Sequence, residues 1–203
     1  MSYTPRTNSV VPSEDDMATA ESQVRYTQEE YVRMAGAGVF GDRRGELVDG
    51  VVYEMTPQES PHASGIRRGR RALQAVFPPE EFDVDAQLPL ALGDEDMPEP
   101  DLAVVPRDPM DYVNSHPTGA LLVLEVTDTS QYHDRKRKVR TYAKAGIQDY
   151  WIVNIPRDVL EVHRDPVDGI YRTRQILRRS ERIAPLARPE SQIAVDDLLP
   201  LKP

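Results

Sequence analysis

The chain has 203 residues, more than one small core needs and fewer than two ordinary domains need, so one domain with an appendage is expected. Its 25 Lys and Arg stand against 34 Asp and Glu, a formal net charge of −9, which excludes a wholly basic polyanion binder. With no long apolar run and no Cys, the composition also excludes a membrane-spanning helix, a disulfide framework, a thiolate metal site and a cysteine nucleophile. Chemistry must then come from carboxylates, His, Lys, Ser or Tyr.

Charge is segregated along the chain. Residues 72–106 carry nine acids and no Lys or Arg. Against them stand basic clusters at Arg67, Arg68, Arg70 and Arg71, at Arg135, Lys136, Arg137, Lys138 and Arg140, and at Arg172, Arg174, Arg178 and Arg179. Such patches can grip a polyanion locally, although solvated helix faces account for most of them.

Residues 1–24 mix Ser, Thr, Pro and Glu without apolar period and read as a flexible tail, with a single domain over 25–203. The tail lacks the basic end and apolar stretch of a secretory signal, so the cytoplasm is the expected compartment. Thr27 and Glu30 have the spacing of a capping box, predicting a short helix that ends near Gly36 and Gly38. Asp49-Gly50 between β-rich runs predicts a tight hairpin over 46–55. Residues 61–77 read as a helix stopped by Pro78-Pro79, and 82–90 as a half-buried strand whose Pro89 marks an edge or bulge. The runs 101–105 and 121–126 suit central strands covered on both faces. A helix over 130–145 closed by Gly146, a strand over 149–154, and a hairpin of 158–164 and 170–177 around Asp168-Gly169 follow, with a short last element at 195–199. From residue 61 the order is α-β-β-β-α-β with a hairpin on each side: an α/β (α+β) fold, with a central mixed sheet flanked by helices.

Two acids stand out in that order. Asp101 opens one buried-type strand and Glu125 lies near the end of the next, inside LLVLEV. A carboxylate there is costly to bury unless it is paired or bound to a cation. If the two strands are neighbours, both carboxylates project at one sheet edge, where hard oxygen ligands suit Mg²⁺ or Mn²⁺.

Pro100-Asp101, Leu122 to Val126 with Glu125, Asp134-Arg135, Lys138-Val139, Tyr142-Ala143, Ala145-Gly146-Ile147 and Asp149 to Val153 together resemble the Uma family of putative restriction endonucleases, within the PD-(D/E)xK nuclease superfamily. Tyr26-Thr27, Glu29 to Tyr31, Glu46 to Gly50 and Pro61-His62 extend the resemblance, which covers about residues 26–155. It implies a restriction-endonuclease-like core and metal-dependent cleavage of nucleic acid. Asp101 and Glu125 would be metal ligands, with Glu46 the acid that completes the site. One departure is visible: two residues after Glu125, where the superfamily has Lys, stands Thr127. The resemblance moves the lysine role to Lys138. Helical geometry permits this, because at about 100° per residue Lys138 lies about 40° from a sheet-facing Tyr142.

His62, Arg67 and Arg135 are candidate substrate contacts; His133 and His163 lack metal-ligand spacing, His116 falls in a loop, and no phosphate-binding Gly-rich loop or nucleophile elbow occurs. The expected function is therefore a Mg²⁺- or Mn²⁺-dependent endonuclease acting on nucleic acid, DNA before RNA, with no membrane partner. A homodimer is expected because cutting both strands needs two sites. The alternative is a non-catalytic nucleic-acid-binding or assembly module that keeps the fold.

Overall fold

The computed structural model describes residues 24–55, 57–128 and 132–202, and the side chains of all of these but 132–136. The predicted tail lies almost wholly outside them. Helix α1 (Gln28–Gly36) begins with the expected capping box: Thr27 accepts from the Glu30 N–H, and Glu30 reaches back to the Thr27 N–H. Strands β1 (Gly45–Val48) and β2 (Val51–Glu54) form their own two-stranded sheet. Their turn holds Asp49 at φ 50° and Gly50 at φ 73°, the positive pair that a two-residue hairpin loop requires.

Helix α2 (Ser60–Gln74) is followed by β3 (Phe82–Asp85), β4 (Leu102–Pro106) and β5 (Leu122–Thr127). Helix α3 (Tyr132–Lys144) then crosses to β6 (Asp149–Asn154), and β7 (Val159–Val167) and β8 (Ile170–Arg178) complete a six-stranded sheet of order β3-β4-β5-β6-β7-β8. All neighbours are antiparallel except β5 and β6, which run parallel because α3 carries the chain back across the sheet. The result is the mixed α/β sheet flanked by helices that the element order predicts.

Three boundaries differ from expectation. Strand β3 ends at Asp85 rather than near residue 90, where Gln87 adopts φ 55° and turns the chain out of the pleat. Helix α2 stops at Gln74, three residues early, in a turn that tucks Phe77 beneath it. The C-terminal hairpin is longer than predicted and adds two strands to the central sheet, β7 pairing along β6. The short pair β9 (Arg182–Ile183) and β10 (Ile193–Ala194) has no counterpart in the sequence reading, and α4 (Val195–Leu198) is the expected last element.

The sheet is covered on both faces. On one, α2 and α4 bury Leu73, Phe77, Leu102, Leu124, Val126, Trp151 and Leu198; on the other, α3 buries Val123, Tyr142, Tyr150 and Ile152. Helix α2 lies close because Gly65 and Gly69 face the sheet. A Cβ at Gly65 would stand 2.8 Å from Val126 Cγ1, and one at Gly69 2.9 Å from Leu102 Cδ1. Strand alternation then decides the site: Leu124 and Val126 point toward α2, so Glu125 points toward α3.

Candidate active site

Strands β4 and β5 pair with Leu102 opposite Leu124, which brings Asp101 and Glu125 to the same end of the sheet one step further on. Asp101 Oδ2 accepts hydrogen bonds of 2.8 Å from the Val126 N–H and 2.8 Å from His62 Nε2, the latter delivered by the first turn of α2. Glu125 Oε1 accepts from the Tyr142 hydroxyl at 2.8 Å and lies 3.2 Å from Lys138 Nζ, both side chains coming from α3. Among the described residues its Oε2 receives only a long 3.4 Å approach from the Asp101 N–H.

The β1-β2 hairpin supplies the third acid. A bridge between Leu47 and Met97 docks β1 beside the chain that enters β4. Glu46 Oε1 then lies 3.1 Å from Lys138 Nζ, and its Oε2 accepts from the Glu99 N–H at 3.0 Å. A single ammonium thus links β1, β5 and α3. Two further ties hold α3 against the hairpin: Lys144 Nζ bonds Asp49 at 2.8 Å, and the Arg137 guanidinium stacks 3.9 Å above the Tyr53 ring.

Burial makes the cluster electrostatically expensive. His62, Glu46, Asp101, Glu125 and Lys138 are between 4% and 7% exposed. Burial pushes the Glu125 carboxyl up to about 8; Lys138 works against that rise, while the charges of Asp101 and Glu46 add to it. Burial is also the largest influence on His62 and disfavours its imidazolium. The hydrogen bond and charge of Asp101, with Asp128 and Glu125 behind them, nevertheless leave its pKa above the ordinary value. Glu99 is raised by burial too, with Arg44 opposing.

Of the residues singled out from sequence, Glu46, Asp101, Glu125, Lys138 and His62 come together. Arg67 sits on the exposed outer face of α2, away from the sheet-facing His62, Gly65 and Gly69, and the Arg135 side chain lies outside the described residues. Sequence reasoning missed the tie from Tyr142 to Glu125, although Tyr142 stands one helical turn from Lys138 on the same face. It also passed over Glu99, two residues before Asp101, whose backbone N–H anchors Glu46.

Among the described residues no three His, Asp or Glu side chains are arranged around one ion position. The donor set nevertheless fits a hard divalent cation. Asp101 and Glu125 are adjacent desolvated carboxylates, each with one oxygen committed to protein donors and one free of short hydrogen bonds, and Mg²⁺ is commonly held by one or two carboxylates with water completing the shell.

The fold is shared with a known structure. The crystal structure of a putative nuclease belonging to DUF820 from Anabaena variabilis ATCC 29413 superimposes with a TM-score of 0.69 at 15% sequence identity, covering 85% of this chain and 96% of that one. No curated protein matches. The family model described as Uma2, putative restriction endonuclease, matches residues 28–196, and by that match the chain belongs to the Uma2 family.

Proposed function

We propose that this protein is a divalent-metal-dependent endonuclease that hydrolyses phosphodiester bonds in nucleic acid, DNA before RNA. The observation that carries the reading is Lys138 Nζ, buried between Glu46 and Glu125, with the other Glu125 oxygen facing the Asp101 N–H. Asp101 and Glu125 would hold Mg²⁺ or Mn²⁺, with Glu46 the additional acid. Such an ion would neutralise charge on the scissile phosphate and make water a better nucleophile.

The chain's own residues do the rest. Glu46 and Glu125 hold Lys138 Nζ at 3.1 and 3.2 Å, where it would help orient or deprotonate the attacking water and offset phosphate charge. Glu46 holds that ammonium over the strand ends, and the Glu99 N–H holds Glu46. His62 keeps Asp101 turned toward the site instead of touching substrate itself.

Arg67 and Arg135 are proposed to meet the nucleic acid backbone outside this centre. The working unit is a homodimer of one domain over residues 25–203, acting in the cytoplasm. Incubation of the purified chain with supercoiled DNA and with single-stranded RNA, in Mg²⁺, Mn²⁺ or EDTA, tests the reading. Metal-dependent nicking abolished by Asp101→Asn supports it. A protein that binds nucleic acid but cleaves neither substrate with any metal is a non-catalytic module.

A further inference from the structure

From the two carboxylates outward, we infer that Tyr142 and His62 are a matched pair of positioning residues, one from each helix layer, that select which oxygen of Glu125 and of Asp101 a cation receives. The inference rests on the metal-dependent reading above. Five distances carry it. On the α2 side, Asp101 Oδ2 is committed to His62 Nε2 and to the Val126 N–H, at 2.8 Å each, while no hydrogen bond reaches Oδ1 among the described residues. On the α3 side, Glu125 Oε1 is committed to the Tyr142 hydroxyl at 2.8 Å and to Lys138 Nζ at 3.2 Å, which among the described residues leaves Oε2 with the 3.4 Å Asp101 N–H alone.

A carboxylate free to rotate presents either oxygen and loses orientational entropy when it binds an ion. One pinned at one oxygen presents the other in a fixed direction. Both pinning groups are themselves held. The Tyr142 ring is fully buried and packs on Tyr150 with ring centroids 5.0 Å apart, and His62 is carried toward the strand end by a helix that Gly65 and Gly69 let approach the sheet. The two devices are chemically distinct, phenol and imidazole, yet do the same work on neighbouring strands.

Mn²⁺ itself is the probe, titrated into the full chain by calorimetry and by the electron paramagnetic resonance of free Mn²⁺, with thermal unfolding as a parallel readout. Tyr142→Phe removes one hydroxyl and should weaken Mn²⁺ binding by about 10-fold or more, the usual effect of losing an outer-shell partner. Tyr171→Phe is the control: it deletes a hydroxyl from the same aromatic cluster, where Tyr171 bonds the Ile147 carbonyl at 2.8 Å, and should leave Mn²⁺ affinity unchanged. His62→Ala should weaken binding to a similar extent, and His62→Gln, which restores an N–H at the reach of Nε2, should recover it. This second comparison decides the matter if Tyr142→Phe does not fold. Wild-type protein that binds no Mn²⁺ overturns the metal reading and this inference with it. Tight wild-type binding that neither Tyr142→Phe nor His62→Ala disturbs overturns the inference alone.

Discussion

Replacing Glu125 with Gln keeps the side-chain shape and removes the charge, and should stabilise the metal-free protein. The sign follows from burial. A carboxyl whose pKa is 4.5 in the unfolded chain and about 8 when folded contributes stability fully present below pH 4.5 and lost as pH rises toward 8. At about 1.4 kcal/mol per pH unit, the loss accumulated by pH 7 is at most about 3 kcal/mol. Gln carries no such loss. Its amide oxygen can still accept from Tyr142 and Lys138, although Lys138 then loses the Glu125 charge 3.2 Å away, which makes that figure an upper bound.

For a domain of this size the gain corresponds to about 5 to 10 °C in Tm at pH 7, shrinking to about 2 °C at pH 5. Thermal unfolding of both proteins in EDTA at pH 5, 6, 7 and 8 measures it. Adding Mn²⁺ should reverse the order, since a ligand that binds only the folded wild type raises its stability by mass action. Parallel pH profiles, or a variant less stable than wild type at pH 7 in EDTA, would refute the reasoning. Either result would mean that Lys138 compensates the buried Glu125 charge in full.

Lys138→Met should lower cleavage by about 10²- to 10³-fold, the range for losing one preorganised charge-stabilising donor, and its stability deficit should grow with pH as Glu46 and Glu125 are left without their shared cation. Arg137→Met, on the adjacent helical position, loses the stack on Tyr53, about 0.5 to 1 kcal/mol, and should leave turnover unchanged. Binding of an oligonucleotide in Ca²⁺ should fall with salt, log K dropping about 0.9 for each phosphate contact per tenfold increase; salt-independent binding would count against a nucleic acid substrate. Gly65→Ala should cost about 1 to 3 kcal/mol in denaturant unfolding, because its Cβ would meet Val126 Cγ1 at 2.8 Å, and Val126→Ala in the same chain should recover part of that cost.

What was legible in the sequence was whatever local chemistry decides. Thr27 and Glu30 announce a helix start, Asp49-Gly50 a hairpin and Gly146 a helix end, because each solves a backbone problem within a few residues. The pairing of Asp101 with Glu125 was legible for a similar reason: two buried-type strands with an acid at one end have few ways to pair. Lys138 followed from helical angle together with the family resemblance. The rest depended on partners remote in sequence. His62 and Asp101 are 39 positions apart, and nothing in either segment says that an imidazole would end at a carboxylate rather than at a phosphate. The placement of β7 and β8 in the central sheet is also non-local, since a hairpin closes its own hydrogen bonds on one edge and reveals nothing about the other.

Tyr142 teaches the most. Its spacing marked a sheet-facing aromatic, and it is fully buried as that reading requires, but an apolar period registers the ring and is blind to the hydroxyl. Its partner becomes visible only once Leu124 and Val126 are known to face α2, which turns Glu125 toward α3 and beneath residues 138 and 142 together. One turn of helix then delivers a cation and a phenol to the same carboxylate oxygen. The site is built from strand parity and helical repeat acting jointly, and either periodicity read alone explains only half of it.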